Sequence, residues 1–76
     1  MSRLPVVSGR DVVRALGHAG YIADRRKGSH IVMRGEAPPH RRVVVPDHDS
    51  VAKGTLRAIL RDAGITVAGF VALLER

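Results

Sequence analysis

The stretch YIADRRKGSHIVMRGEAPPHRRVVVPD, residues 21–47, constrains the fold more than any other part of the chain. Its β-branched residues gather in short runs, and Gly, Pro and charged residues break the runs apart. The pattern predicts strands over about 21–25, 29–34 and 41–45. Arg26, Lys27 and Gly28 fall in the first turn, and GEAPPH, residues 35–40, in the second, because Pro38 and Pro39 cannot continue a ladder. Pro46 closes the third strand. Connections this short leave no room for a parallel crossover, so the expected sheet is an antiparallel meander. Such a sheet has one face to cover and one that can stay in water.

The flanks supply the cover. In SGRDVVRALGHAGY, Ser8 suits an N-cap and Asp11 stands three residues on, as in a capping box. Val12, Leu16 and Ala19 form one apolar stripe, and Gly20 suits a left-handed end, which predicts a helix over about 9–19. After the sheet, Leu56, Ile59, Leu60 and Ala63 repeat at helical spacing, with Arg57 and Arg61 neighbours on a flank. Thr55 is the expected cap of this helix, and Gly64 with Ile65 its Schellman ending. Thr66 then caps a short helix carrying Val67, Phe70, Leu73 and Leu74. The expected fold is α+β in the order α-β-β-β-α plus a short C-terminal helix, one domain over residues 1–76. No repeat or linker divides the chain.

A chain of 76 residues buries only about 60% of its unfolded surface, so it must be compact. It has no cysteine, which rules out disulfides, cysteine zinc sites and thiol catalysis and leans towards a reducing compartment. No apolar stretch is long enough for a signal peptide or a membrane span, so a cytoplasmic protein without membrane contact is expected. Charge is the strongest bulk signal. Thirteen Lys and Arg face seven Asp and Glu, a net +6, and Arg predominates. Arg presents a planar fork of donors that matches phosphate, and the excess attracts polyanions. With one Tyr, one Phe and no Trp, recognition by base stacking is disfavoured, and phosphate and sugar contacts are expected.

Four histidines are candidates for chemistry: His18, His30, His40 and His48. None forms a metal-binding helical pair or a His-Glu-x-x-His pattern, and neither a P-loop nor a Gly-x-Ser-x-Gly elbow is present, so no metal or other cofactor is called for. His30 is distinctive because Arg25, Arg26 and Lys27 precede it and can hold a phosphate. A histidine titrates near neutral pH, and cations beside it favour the neutral base. RNA cleavage needs a base for the ribose 2′-hydroxyl, stabilisation of the charge on phosphorus and a proton for the leaving oxygen. The plain alternative is a half-exposed strand histidine that only bonds its neighbours. His48, in VPDHDS, is a candidate second acid or base, or a turn residue held by Asp47 or Asp49. His18, near the end of the first helix, and His40, in the proline turn, are not assigned chemistry.

These motifs together resemble the HicA toxins of bacterial HicA–HicB toxin–antitoxin pairs. The resemblance rests on Gly20-Tyr21, on Lys27-Gly28-Ser29-His30, on Val45-Pro46-Asp47-His48 and on the run Gly54 to Leu60, and it spans about residues 8–70. Ile31 stands where many members place a polar residue after the histidine, and Lys53 where many carry Pro. The resemblance implies a fold like the double-stranded-RNA-binding domain and an mRNA endoribonuclease that arrests translation. It implies His30 as the catalytic residue and a HicB-like antitoxin as partner. With the basic residues, it places RNA contacts at Arg25, Arg26, Lys27, Ser29, Arg41 and Arg42. A rival class is a non-catalytic RNA-binding module of the same fold, which needs the cations but not the histidine. A domain that only binds a partner protein is the third.

Overall fold

The computed structural model describes residues 3–76. Among them the chain order is α1 (Gly9–His18), β1 (Tyr21–Lys27), β2 (His30–Gly35), β3 (Arg42–Pro46), α2 (Lys53–Ala63) and α3 (Val67–Leu74). The strands pair antiparallel in the order β1-β2-β3, so the expected meander and the α+β class are present.

Each helix end has a chemical cause. The Ser8 Oγ accepts from the Asp11 N–H, and the Ser8 N–H donates back to Asp11 Oδ2, both at 3.1 Å, which is the capping box at the start of α1. At the end of α2, Gly64 has φ 72°, the Ile65 N–H reaches the Leu60 carbonyl at 2.9 Å, and the Gly64 N–H reaches Arg61 at 3.1 Å. Those two bonds are the Schellman pair, and Ile65 packs on the core as the motif requires. Thr66 Oγ1 accepts from the Gly69 N–H at 3.0 Å and caps α3. The start of α2 differs from expectation. The helix begins at Lys53, its cap position is Ala52 with no side-chain bond, and Thr55 lies inside the first turn. Val51 fixes the entry instead: it is buried, and its N–H donates to the Val7 carbonyl at 2.8 Å. The chain therefore enters the helix before Thr55 is reached.

The helices cover one face of the sheet. Val12, Ala15 and Leu16 of α1, Leu56, Ile59, Leu60 and Ala63 of α2, and Phe70 of α3 close over Met33, Val43 and Val45. Ala15 takes the place in the α1 stripe expected of Ala19, which lies beyond the last helical residue and is exposed. Tyr21 joins the layers: its buried hydroxyl donates to the Ala63 carbonyl at 2.9 Å. The other sheet face is open, with Val44 51% and Ile22 38% exposed.

Two details of β1 set the geometry of everything near His30. The strand runs to Lys27, further than its sequence pattern shows, because Arg26 and Lys27 pair with Ile31 and His30. The hairpin turn is thus only Gly28-Ser29, with Gly28 at φ 61°. A positive φ at the first of two turn residues is the type II′ arrangement, which glycine adopts without a steric penalty. A bulge also separates Ala23 from Arg25, leaving Asp24 without a partner across the ladder.

Candidate functional site

Strand register decides which charged residues share a face. Met33 is buried under the helices, so Ile31 shares its side, while His30, Val32 and Arg34 face out. Paired residues lie on the same face. Lys27 opposes His30, which gives an exposed pair at the turn end of the open face, while Pro46, across from His30 on β3, is buried. Arg25, Val32 and Val44 form the next row, and Ile22, Arg34 and Arg42 the third. The open face therefore carries Lys27, Arg25, Arg34 and Arg42, with Val32 and Val44 between the two ends. His30 and Lys27 are exposed at its turn end.

Asp24, the bulged residue, tempers the far row. Its Oδ2 accepts from Arg42 Nη1 at 3.0 Å, and its Oδ1 lies 3.7 Å from Arg34 Nε. One carboxylate so holds two guanidinium groups side by side about 13 Å along the strand from His30. Lys27 has no such partner among the described residues.

Four of the candidate RNA contacts, Arg25, Lys27, Ser29 and Arg42, lie on the His30 face or in its turn. The other two do not. Arg26 opposes Ile31 and so belongs to the covered side, where its Nη2 donates to Asp47 Oδ2 at 2.6 Å. Arg41 precedes β3 at the far end of the sheet, packed beside Gly64 with its Nη1 at 3.5 Å from the Asp62 carbonyl. There it lines a cleft of about 360 Å³ walled by Tyr21, Pro38, Pro39 and Ile65. Arg34 was not among the residues singled out from the sequence. It stands four residues after His30 on the same strand, and the period of two was the signal that could have found it.

His48 is exposed two residues beyond Pro46, at the same end of the sheet as His30. Its carbonyl accepts from the Gly9 N–H at 2.8 Å, which pins this segment to the start of α1. The Asp47 carboxyl is held below its ordinary value, first by the Arg26 hydrogen bond and then by the positive charges of Arg26 and Arg10. His40 sits in the proline turn with φ 57°, its Nδ1 3.1 Å from the Gly35 carbonyl, and His18 is exposed at the end of α1, both far from His30 along the sheet. No group of three or more His, Asp or Glu side chains gathers among the described residues. No helix among them is long and apolar enough to cross a membrane.

The fold and the charge define a small basic α+β domain that presents an exposed histidine at the mouth of a two-residue turn, directly across from Lys27. The family model for the HicA toxin of bacterial toxin–antitoxin systems matches residues 9–65, from the first residue of α1 to the Schellman residue after α2. The chain belongs to that family, which gives it a toxin role and an antitoxin as its counterpart. No curated protein matches it in a direct sequence search.

Proposed function

We propose that the protein is an endoribonuclease that cuts mRNA on the open sheet face and so arrests translation, in the cytoplasm, until a HicB-like antitoxin covers that face. The observation that carries this reading is the pair at the turn: His30 exposed directly across from Lys27, with Arg25 in the next row on the same face. A phosphate seated by Lys27 and Arg25 brings the adjoining ribose to His30. The imidazole takes the 2′-hydroxyl proton, and the 2′-oxygen attacks the neighbouring phosphorus. Lys27 offsets the charge that builds there. The 5′-oxygen leaves with a proton, giving a 2′,3′-cyclic phosphate and a free 5′-hydroxyl. His48, at the same end of the sheet, is the candidate donor of that proton. Arg34 and Arg42, held side by side by Asp24, extend the track for the strand away from the cut.

The test is RNA turnover in EDTA by the parent and by His30→Ala. Cleavage of single-stranded RNA, with DNA left intact, is expected of the parent, because the nucleophile is the 2′-hydroxyl. His30→Ala should lose about 10²–10⁴ in rate, the usual worth of a general base, while melting as the parent does, since the side chain is exposed. Binding without cleavage by the parent would establish the non-catalytic module. A His30→Ala variant that cuts at the parent rate would remove the histidine from the chemistry.

A further inference from the structure

The two residues that turn the chain into His30 are held at both of their carbonyls. Arg26 Nε donates to the Gly28 carbonyl at 3.1 Å, and the Asp47 backbone N–H donates to the Ser29 carbonyl at 2.7 Å. Arg26 Nη2 then donates to Asp47 Oδ2 at 2.6 Å. These three bonds close a ring around the turn from two places far apart in the chain. Asp47 directly follows Pro46, the cross-strand partner of His30, so the ring grips both strands that flank the imidazole. The end of β3 is itself backed by α1, through the Gly9 N–H bond to the His48 carbonyl at 2.8 Å.

This arrangement fits poorly with a phosphate contact at Arg26. Its register places it on the opposite side of the strand from Lys27 and Arg25, and its Nε and Nη2 are already engaged by the Gly28 carbonyl and the Asp47 carboxylate. It fits a device for orientation. A hairpin turn at a sheet end is ordinarily a mobile segment, and a proton-transfer group loses rate steeply when it is displaced from its productive geometry.

We propose that Arg26 and Asp47 form a positioning clamp that fixes the Gly28-Ser29 turn and thereby presents the His30 imidazole in one orientation to the RNA. The clamp rests on His30 being the proton-transfer group. Neither clamp residue touches substrate. The ion pair is partly exposed, with the Arg26 side chain 55% and that of Asp47 26% accessible, so it adds little to global stability. Its effect belongs to turnover rather than to melting or affinity.

The experiment uses the full chain, a fluorescent single-stranded RNA oligonucleotide and ¹⁵N relaxation of the free protein. Arg26→Gln and Asp47→Asn should each lower turnover at saturating RNA by about tenfold while KM stays within about twofold. Arg26→Lys, which keeps the charge but cannot hold both partners, should fall between. The Ser29 and His30 amides should show a lower heteronuclear NOE in Arg26→Gln and Asp47→Asn, with melting temperatures close to the parent's. A phosphate contact at Arg26 predicts a different pattern: Arg26→Gln weakens binding, and Asp47→Asn, by freeing Arg26, tightens it without slowing turnover. That pattern overturns the clamp. So do amides as rigid as the parent's, a readout that needs no activity and stands apart from the chemistry. His30→Ala in the same assay reports separately on whether the histidine carries the reaction.

Discussion

Gly9 is the position where one added methyl group should do most damage. It is the first residue of α1, it is buried, and its helical backbone is open to any residue, so glycine is not there for its conformational freedom. The reason is steric. A Cβ on Gly9 would overlap the carbonyl oxygen of Pro46 and lie 2.9 Å from the Asp47 Cα. Carbon atoms pack best at about 3.5–4.0 Å, so relieving the Asp47 contact alone parts the two segments by about 0.6–1.1 Å, and the nearer Pro46 oxygen sets the lower bound at about 1 Å. Both obstructing groups are backbone, and no side chain can swing aside. Forced overpacking costs about 1–3 kcal/mol, and backbone against backbone belongs at the upper end. The helix propensity of Ala offsets less than about 1 kcal/mol of this at a first-turn position. For a domain of this size each kcal/mol moves the melting temperature by about 4–8 °C, so Gly9→Ala should melt about 10 °C lower. Gly17→Ala and Gly54→Ala are the controls. Both residues are helical, and nothing lies within 4 Å of a Cβ at either. Each should hold or raise stability by up to about 1 kcal/mol. Thermal melts followed by far-ultraviolet circular dichroism compare the three. If Gly9→Ala melted with the controls, the close approach of α1 to the end of β3 would be wrong, and with it the support inferred for the His30 end of the sheet.

The remaining expectations concern one buried bond and two carboxylates. Tyr21→Phe deletes the 2.9 Å bond to the Ala63 carbonyl and should cost about 1–2 kcal/mol. It should appear in urea as a lower midpoint with an unchanged slope, and an unmoved midpoint would show that the bond adds nothing. Asp11 and Asp47 both titrate below their ordinary value of 3.8, Asp11 chiefly through the Ser8 backbone N–H and Asp47 chiefly through Arg26. A carboxyl whose folded pKa is depressed stabilises the fold fully above its unfolded value and loses that contribution as pH falls through the folded one. The melting temperature should therefore drop below about pH 4, and less steeply in the Asp11→Asn, Asp47→Asn double variant. An acid limb of equal slope in both proteins would refute the assignment.

The parts of the fold legible in the sequence are those whose cause lies within a few residues. Ser8 with Asp11, Gly64 with Ile65 and Thr66 with Gly69 each close a bond across three to five positions, and each was readable. Thr55 misled because a favoured cap type says nothing about where the incoming chain is already anchored, and Val51 is anchored by Val7, far away in sequence. Ala15 and Ala19 both continue the stripe of Val12 and Leu16, and only the helix end at His18 distinguishes them. Arg26 and Lys27 looked like turn residues because their polarity hides a strand that exists through its pairing with β2. The site divides in the same way. That His30 opens a strand after a tight basic turn was evident from Gly28 and Ser29. Which cations share its face was not: Arg26 adjoins Lys27 in sequence but lies on the other side of the strand.

The bulge at Asp24 is the physical reason adjacency failed. In an unbroken strand Tyr21, Ala23, Arg25 and Lys27 would all lie on one face. Tyr21 is in the core, so Arg25 and Lys27 would then point under the helices and Arg26 would stand beside His30. The extra residue reverses the alternation. Arg25 and Lys27 come out to the open face, and Arg26 falls on the other side of the strand, where it meets Asp47. The inserted residue also supplies the carboxylate that orders Arg34 and Arg42. A single unpaired position so fixes three properties of the site at once: which cations accompany the histidine, which one is left to brace its turn, and how the far guanidinium pair is held. None of these depends on residue type alone. Each depends on parity along the strand, and parity is set by hydrogen-bond pairing with β2, a tertiary fact that the order of the residues does not carry.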